Sequence, residues 1–463
     1  MQLLILALPF AVTAFVIVFE GIFSPRKFRF SRMLSVVWPV VALVAEIVLI
    51  WQPGANSADG TFAFTSLDRP LLTILLSLTA LAVIGAYTTG FLLSSRFSPT
   101  ALAVIGTLIS ALYVSNVFLE TLLFVLAGFF SIVALVDVDT EDEERFVRAI
   151  KAAVRYLIAT LLFGLALFIA LVFLERLRLD PQLTGFIKVV VALAIVGFAT
   201  RLASFPFNFW LPEVVATAPG LASFLVVGLI NVSAVVFLVD FLQKNPALIF
   251  DNYSAAQPVM ILGLAGAAFA GLLALGQNEF GKVLAYTASA DFGLIMFGLV
   301  SPHRTGLDGA ILEAANLALM QVLIFTALSV ASYCTQGQKL DALTGLGRRM
   351  PVATIGLAVG IMGMVGLPFL SGFVGKYLIL QSAAQEGLIW VLSAGLALLL
   401  CLVAYFRFFH RIFMGNDVPG LKTRAEPRGA RLLILGLVLV VLIIGLWPAP
   451  LLDWLDSALR SGL

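Results

Sequence analysis

Charge is what this sequence has least of. Only 12% of its 463 residues are Asp, Glu, Lys or Arg, against 61% hydrophobic, and the mean hydropathy is +1.08. A soluble domain is about a quarter charged. Half that leaves too little polar surface to face water, which excludes a soluble enzyme. Cysteine and histidine are nearly absent, with two residues each. Cys334 and Cys401 sit in apolar runs without metal-ligand spacing and read as small buried side chains. No Gly-rich phosphate loop follows a strand, and no HExxH or zinc spacing occurs. The sequence thus offers no metal site, no cofactor site and no catalytic chemistry of its own. Net charge is only +2, so no bulk field gathers nucleic acid. The widest polar stretch, about Gln52–Arg69, cannot hold a domain.

What the chain has is apolar length. A helix needs about 20 apolar residues to cross the hydrocarbon core, and about fourteen segments meet that rule. The run Met1–Phe23 is too long for a signal-peptide core and reads as the first span. Orientation follows from Lys and Arg in short loops. Arg26, Lys27, Arg29 and Arg32 follow the first span. Arg145, Arg148 and Lys151 follow the fifth. Lys339, Arg348 and Arg349 follow the eleventh. Arg411, Lys422, Arg424, Arg428 and Arg431 follow the thirteenth. Arg176 and Arg178, after the sixth, run against this trend. With an even span count, both termini are expected on the non-cytoplasmic side of an inner (cytoplasmic) membrane. The acidic run Asp137–Glu144 reads as a solvated helix start, with a contact to another subunit as the alternative.

Ionisable groups inside apolar spans are costly and mark function. Glu20, Glu46 and Glu313 lie near expected span ends and read as interfacial. Glu120 sits in an apolar run with no basic neighbour. Arg201, Lys282, Asp291 and Lys376 also lie within expected spans. Pro206 and Pro368 each stand in a Pro-Phe pair inside a long apolar element. Proline removes a helical hydrogen bond, and a broken helix at membrane depth is tolerated only where protein or water satisfies the freed backbone. Paired breaks in corresponding positions point to a transport site.

These residues carry a family likeness. Asn208-Phe-Trp210-Leu-Pro212-Glu213 through Ala218-Pro219, Lys282-Val-Leu-Ala-Tyr286-Thr-Ala-Ser289, and Gly366-Leu-Pro368-Phe-Leu-Ser-Gly-Phe-Val-Gly-Lys376 occur in order. In them the chain resembles the antiporter-like membrane subunits of respiratory complex I, Mrp-type cation/proton antiporters and membrane hydrogenases, over roughly Val104 to Arg411. The resemblance implies an all-α membrane protein with two inverted five-helix repeats, each with a broken helix. It places the repeats at 98–241 and 257–410, after a three-helix segment 1–97 and before a C-terminal helix in 431–463. It also implies a mid-membrane charged line, here Glu120, Arg201, Lys282, Asp291 and Lys376. Glu120 matches the family's glutamate and Lys376 its terminal lysine. Arg201 stands at the paired lysine, and Asn231 and Gln321 at two further lysines. Leu317 replaces a histidine, and Asp291 falls where histidine is frequent.

Lysine can lose its charge on burial, whereas arginine keeps it. Asn231 and Gln321 can order water but do not titrate. The resemblance implies a proton-translocating subunit in which Glu120 and Arg201 form an electrostatic switch, Lys282 and Asp291 relay protons, and Lys376 couples to one exit. The alternative is a structural paralogue that conducts nothing. A secondary transporter of an organic solute is a third class. Expected partners are other membrane subunits, a hydrophilic redox arm, the lipid bilayer, and protons or sodium. Flavin, quinone and iron–sulfur centres would belong to those partners.

Overall fold

The computed structural model describes residues 1–22, 29–57, 60–89, 96–137, 143–180, 185–245, 248, 253–335, 344–414 and 423–462. Its regular elements are helical. In chain order they are α1 (Gln2–Ile22), α2 (Arg29–Ile50), α3 (Asp68–Thr88), α4 (Phe97–Tyr113), α5 (Val117–Leu135), α6 (Glu143–Leu179), α7 (Gly185–Arg201), α8 (Leu211–Thr217) and α9 (Gly220–Phe224). A π-helical turn, Leu225–Ile230, joins α9 to α10 (Asn231–Lys244). Then come α11 (Tyr253–Leu275), α12 (Phe280–Val300), α13 (Arg304–Cys334), α14 (Pro351–Val365), α15 (Gly372–Glu386), α16 (Leu388–Phe409), α17 (Arg428–Leu446) and α18 (Ala449–Gly462). Among the described residues, ten helices are long and apolar enough to cross a membrane. Three more, Ser35–Ile50, Phe97–Tyr113 and Pro351–Val365, are apolar but shorter. The chain is a multi-pass membrane protein.

A helix apolar on every side must be buried in protein or face lipid. Both kinds occur. The most apolar stretch of Gly220–Lys244 is 100% buried within the chain and that of Phe280–Val300 94%, against 17% for Gln2–Phe19. Helices α9–α10, α12 and α13 therefore form the interior. Helices α1, α16 and α17 form the rim, with Leu3, Leu392, Phe406 and Leu439 more than half exposed to the surroundings. The buried side chains of this interior decide where polar groups can meet.

Helix α6 has 37 residues, about 55 Å at 1.5 Å per residue, far longer than a hydrocarbon core of about 30 Å. Arg145, Arg148 and Lys151, expected in a loop, sit on its first turns. Of the other residues used for orientation, Arg26, Lys27, Lys339 and Lys422 lie outside the described residues, as do 138–142 of the acidic run and the side chains of Glu20, Arg29 and Arg32.

Both proline-bearing elements are interrupted. Helix α7 stops at Arg201, and Pro206 lies in the irregular stretch before α8. Ala203 there has φ 51°, and the Phe205–Pro206 bond is cis. The freed backbone is satisfied from within the chain. Trp210 Nε1 donates to the Thr200 carbonyl at 3.0 Å, and Ser289 Oγ on α12 donates to the Ala203 carbonyl at 2.6 Å. Asn208 Nδ2 donates to the same Ser289 hydroxyl at 3.1 Å. Helix α14 ends at Val365 with Gly366 at φ 81°, and Pro368 lies in the stretch before α15. There Ser371 Oγ donates to Asn316 Oδ1 on α13 at 2.7 Å. Each break is thus held by a polar side chain of an interior helix.

Candidate functional site

Three charged clusters occupy the interior and two ends of the bundle. The most buried surrounds Lys376, in the second turn of α15. Its ammonium pairs with Asp291 of α12 at 2.8 Å and with Glu313 of α13. Lys376 is 2% exposed and Glu313 0%. Asn316 Nδ2 donates to Glu313 Oε1 at 3.4 Å, tying the cluster to the second break through Ser371. Close helix approach makes this possible. A Cβ on Gly375 would stand 2.8 Å from the Glu313 nitrogen, and one on Gly309 2.9 Å from the Gly375 carbonyl oxygen. Two carboxylates around one ammonium balance only when one of them holds a proton. An unbalanced buried charge is costly, so the charges of the three groups constrain one another. Thr287, one turn before Asp291, donates to the Tyr405 hydroxyl at 2.5 Å, extending the polar group toward the start of α12.

The second cluster joins α6, α8 and α12 near the surface. Lys282 Nζ lies 2.9 Å from Glu213 and 3.9 Å from Glu279. Arg148 lies 3.6 Å from Glu213 and 3.1 Å from Glu279. These side chains are between a fifth and two-fifths exposed. Lys282 and Asp291, expected to act together, stand about 13 Å apart along α12 and belong to different clusters. On the side of Glu213, the Lys282 and Arg148 cations hold its carboxyl in the charged form by direct pairing.

The third cluster gathers Glu120, in the first turn of α5, with Asp240 and Lys244 of the last turn of α10 and Asp68 at the start of α3. Asp240 pairs with Lys244. Glu120 is 2% exposed, and its Oε2 has no partner among the described residues.

Arg201 does not pair with Glu120. Its guanidinium donates to the Tyr156 hydroxyl at 3.3 Å and to Thr160 Oγ1 at 3.4 Å, and lies 5.5 Å from the Tyr156 ring centre. Tyr156 in turn accepts from Ser131 of α5 at 3.1 Å. Ser131 is eleven residues beyond Glu120, about 16 Å along the helix. The expected switch fails because α7 ends deep in the bundle while Glu120 begins its helix at the other end. Two further expectations are corrected. Glu313 is a buried partner of Lys376, not an interfacial group. Glu46 is 1% exposed, inside the bundle, with neither carboxylate oxygen partnered among the described residues.

The interior also carries polar atoms with no protein partner among the described residues. They include both amide atoms of Asn231, Gln321 Oε1, Ser223 Oγ and Ser233 Oγ. Gln321 faces Gly228, whose added Cβ would meet the Gln321 Cβ at 3.5 Å. From Glu313 to Gln321 is about 12 Å along α13, and from Asn231 to Asp240 about 13 Å along α10. Each buried polar group left unpaired costs about 1–3 kcal/mol, and bridging water is its usual partner.

Asp68, Asp240, Lys244, Glu213 and Glu313 escaped sequence reasoning as site members. The Asp240–Lys244 spacing of four at a span end was the visible signal for that pair. Glu313 had only its distance from any basic residue.

The family described as NADH:quinone oxidoreductase/Mrp antiporter, TM, matches residues 119–401. NADH-quinone oxidoreductase subunit N 2 of Solidesulfovibrio magneticus is 29% identical over 338 residues, 70% of each chain. A chain of the Mrp complex from Dietzia sp. DQ12-45-1b superposes with TM-score 0.82 at 18% identity, over 98% of this chain and 97% of that one. A chain of respiratory complex I from Thermus thermophilus superposes with TM-score 0.78 at 19% identity, over 100% of both. These two likenesses show a shared fold, in proteins that are parts of larger complexes. With the match spanning more than half its length, this chain belongs to the NADH:quinone oxidoreductase/Mrp antiporter transmembrane family.

Proposed function

We propose that this chain is a proton-translocating membrane subunit of a multi-subunit complex of the complex I or Mrp kind. The observation that carries the reading is the Lys376 ammonium, buried between Asp291 and Glu313 beside a broken helix. A proton on this cluster changes its charge, and that change is felt by the next group along the interior. Asn231 and Gln321 lead water from it toward Glu120, whose carboxyl lies at the far end. Lys282 and its partners form the approach to Asp291 from the other side, through Thr287 and Tyr405. Arg201 fixes the first break and does not exchange protons.

The same reading gives about fourteen spans, because α14 and α15 make one interrupted crossing and α7 with α8 another. It arranges them as two inverted five-helix repeats, 98–241 and 257–410, flanked by 1–97 and 431–463. Both termini face away from the cytoplasm. Neighbouring membrane subunits, lipid and a hydrophilic redox arm are the partners, and any quinone, flavin or iron–sulfur chemistry is theirs.

The test is Lys376→Met in the intact complex, reconstituted in liposomes. Proton flux should fall at least about a hundred-fold, the lower end of what one positioned proton-transfer group contributes. Assembly should be checked on a native gel. Unchanged proton flux in an assembled Lys376→Met complex would refute the reading, and sodium flux without proton flux would reassign the ion.

A further inference from the structure

The segment before α3 forms a roof at one end of the bundle. The Ala63 amide donates to the Tyr113 carbonyl at 2.9 Å, and the Ser115 amide to the Thr61 carbonyl at 3.1 Å. Phe62 and Val114 form a short antiparallel bridge. Beneath this strap lies a cavity of about 120 Å³, lined by Thr65, Asp68, Ser115, Glu120, Asp240 and Lys244 among others. One water needs about 10–15 Å³ of such space, so the cavity has room for a small cluster of them. Its lining is polar on the side of three helix ends, where backbone and side chains already face the bundle's edge.

The charges are arranged around this space. Asp68 accepts from the Thr65 amide at 2.7 Å, which fixes its carboxylate at the start of α3. Asp240 holds Lys244 on α10. Glu120 on α5 lines the cavity, and its Oε2 has no partner among the described residues although the side chain is almost wholly buried. Arg69 is turned away, with its guanidinium 3.2 Å from Asn56 Oδ1, and the Tyr113 hydroxyl donates to the Ala55 carbonyl. Among the described residues, the titratable groups facing Glu120 are therefore Asp68, Asp240 and Lys244, which with Glu120 make three carboxylates and one ammonium. A buried carboxylate oxygen without a protein partner needs a proton or water, and the cavity can supply both.

We propose that this roofed cavity is the port through which the interior path exchanges protons with the solvent at that end. The inference rests on the transport reading above. The step is a plain proton transfer. The O–H bond of protonated Glu120 breaks as a cavity water takes the proton. That water passes it to the carboxylate of Asp240 or Asp68, from which it leaves past Ser115, and the reverse sequence loads Glu120. Lys244 stays an ammonium and keeps the three acids from repelling one another at close range. Asp68 lies outside the residues that match the family, so this port joins the family's segment to the N-terminal helices.

The test uses the whole complex in sealed liposomes. Leu112 lines the cavity and is buried. Leu112→Cys should react with a small membrane-impermeant thiol reagent added on the side of the roof and not from the other side. In the same preparations Asp240→Asn and Asp68→Asn should each lower proton flux, and the double variant should lower it at least about a hundred-fold, with the residual flux following the pH of that compartment alone. The port is overturned if Leu112→Cys reacts from neither side while the unfolded protein reacts fully. It is equally overturned if the cysteine reacts but both Asn variants pump at the parental rate. Protection of Leu112→Cys by sodium at fixed pH would make the cavity an alkali-cation site and overturn it as a proton port. Should Lys376→Met silence flux while the Asn variants do not, only the port fails. Should none of the three variants matter, the transport reading fails with it.

Discussion

Arg201 shows how one side chain can look functional and be structural. Its guanidinium has two hydroxyl partners and an aromatic face, and no carboxylate among them. It terminates α7 and ties it to α6, where Tyr156 also packs against Trp210. Arg201→Lys keeps the charge and loses the planar fork, so it should cost about 1–2 kcal/mol of stability. Proton flux should stay within about two-fold, well short of the loss of about a hundred-fold or more expected on removing a transfer group. Thermal melting and liposome flux on the same samples check both. A large loss of flux at unchanged melting temperature would return Arg201 to the path. Lys376, Glu120 and Asp291 were legible because buried charge stands out in an apolar run. Glu313 was not, because its depth depends on where α13 begins. The helix starts at Arg304, which puts Glu313 about 14 Å inside.

The two broken helices set the geometry of the interior, and glycine makes the second break possible. Gly366 takes φ 81°, and a Cβ there would stand 2.6 Å from Lys376 Cδ. The left-handed conformation costs a residue with a Cβ about 1–2 kcal/mol, and the clash adds displacement of the Lys376 stem. Gly366→Ala should therefore lower both melting temperature and proton flux. Gly395→Ala on α16, where an added Cβ meets nothing within 4 Å, is the control. It should be neutral or stabilising by up to about 1 kcal/mol. Equal behaviour of the two variants would remove the break from the account. At this scale the positions of Pro206 and Pro368 could be read from the chain. What holds the breaks could not, because Ser289 and Asn316 come from helices distant in sequence and only packing brings them there. The length of α6 was also hidden, since its charged first turns read as loop.

Across the whole molecule, the rim helices present apolar side chains outward, and the interior is left to α9–α10, α12 and α13. Polar atoms inside such an interior survive only if something meets them. The chain answers this with ion pairs at the Lys376 cluster, with ion pairs at the surface near Lys282, and with a cavity at Glu120. Among the described residues, no group satisfies the Asn231 amide or Gln321 Oε1. Composition announced a membrane bundle, and motif order announced the family. The close approach of the π-turn to α13 belongs to three dimensions, because Gly228 meets Gln321 only once the helices pack. The most direct measurement is a density map of the intact complex, fine enough to resolve ordered water. The account predicts waters bonded to the Asn231 amide and to Gln321 Oε1, in a continuous file from the Glu313 side to the cavity at Glu120. An apolar seal across that gap, with Asn231 and Gln321 bonded to each other and no water beside them, would contradict it.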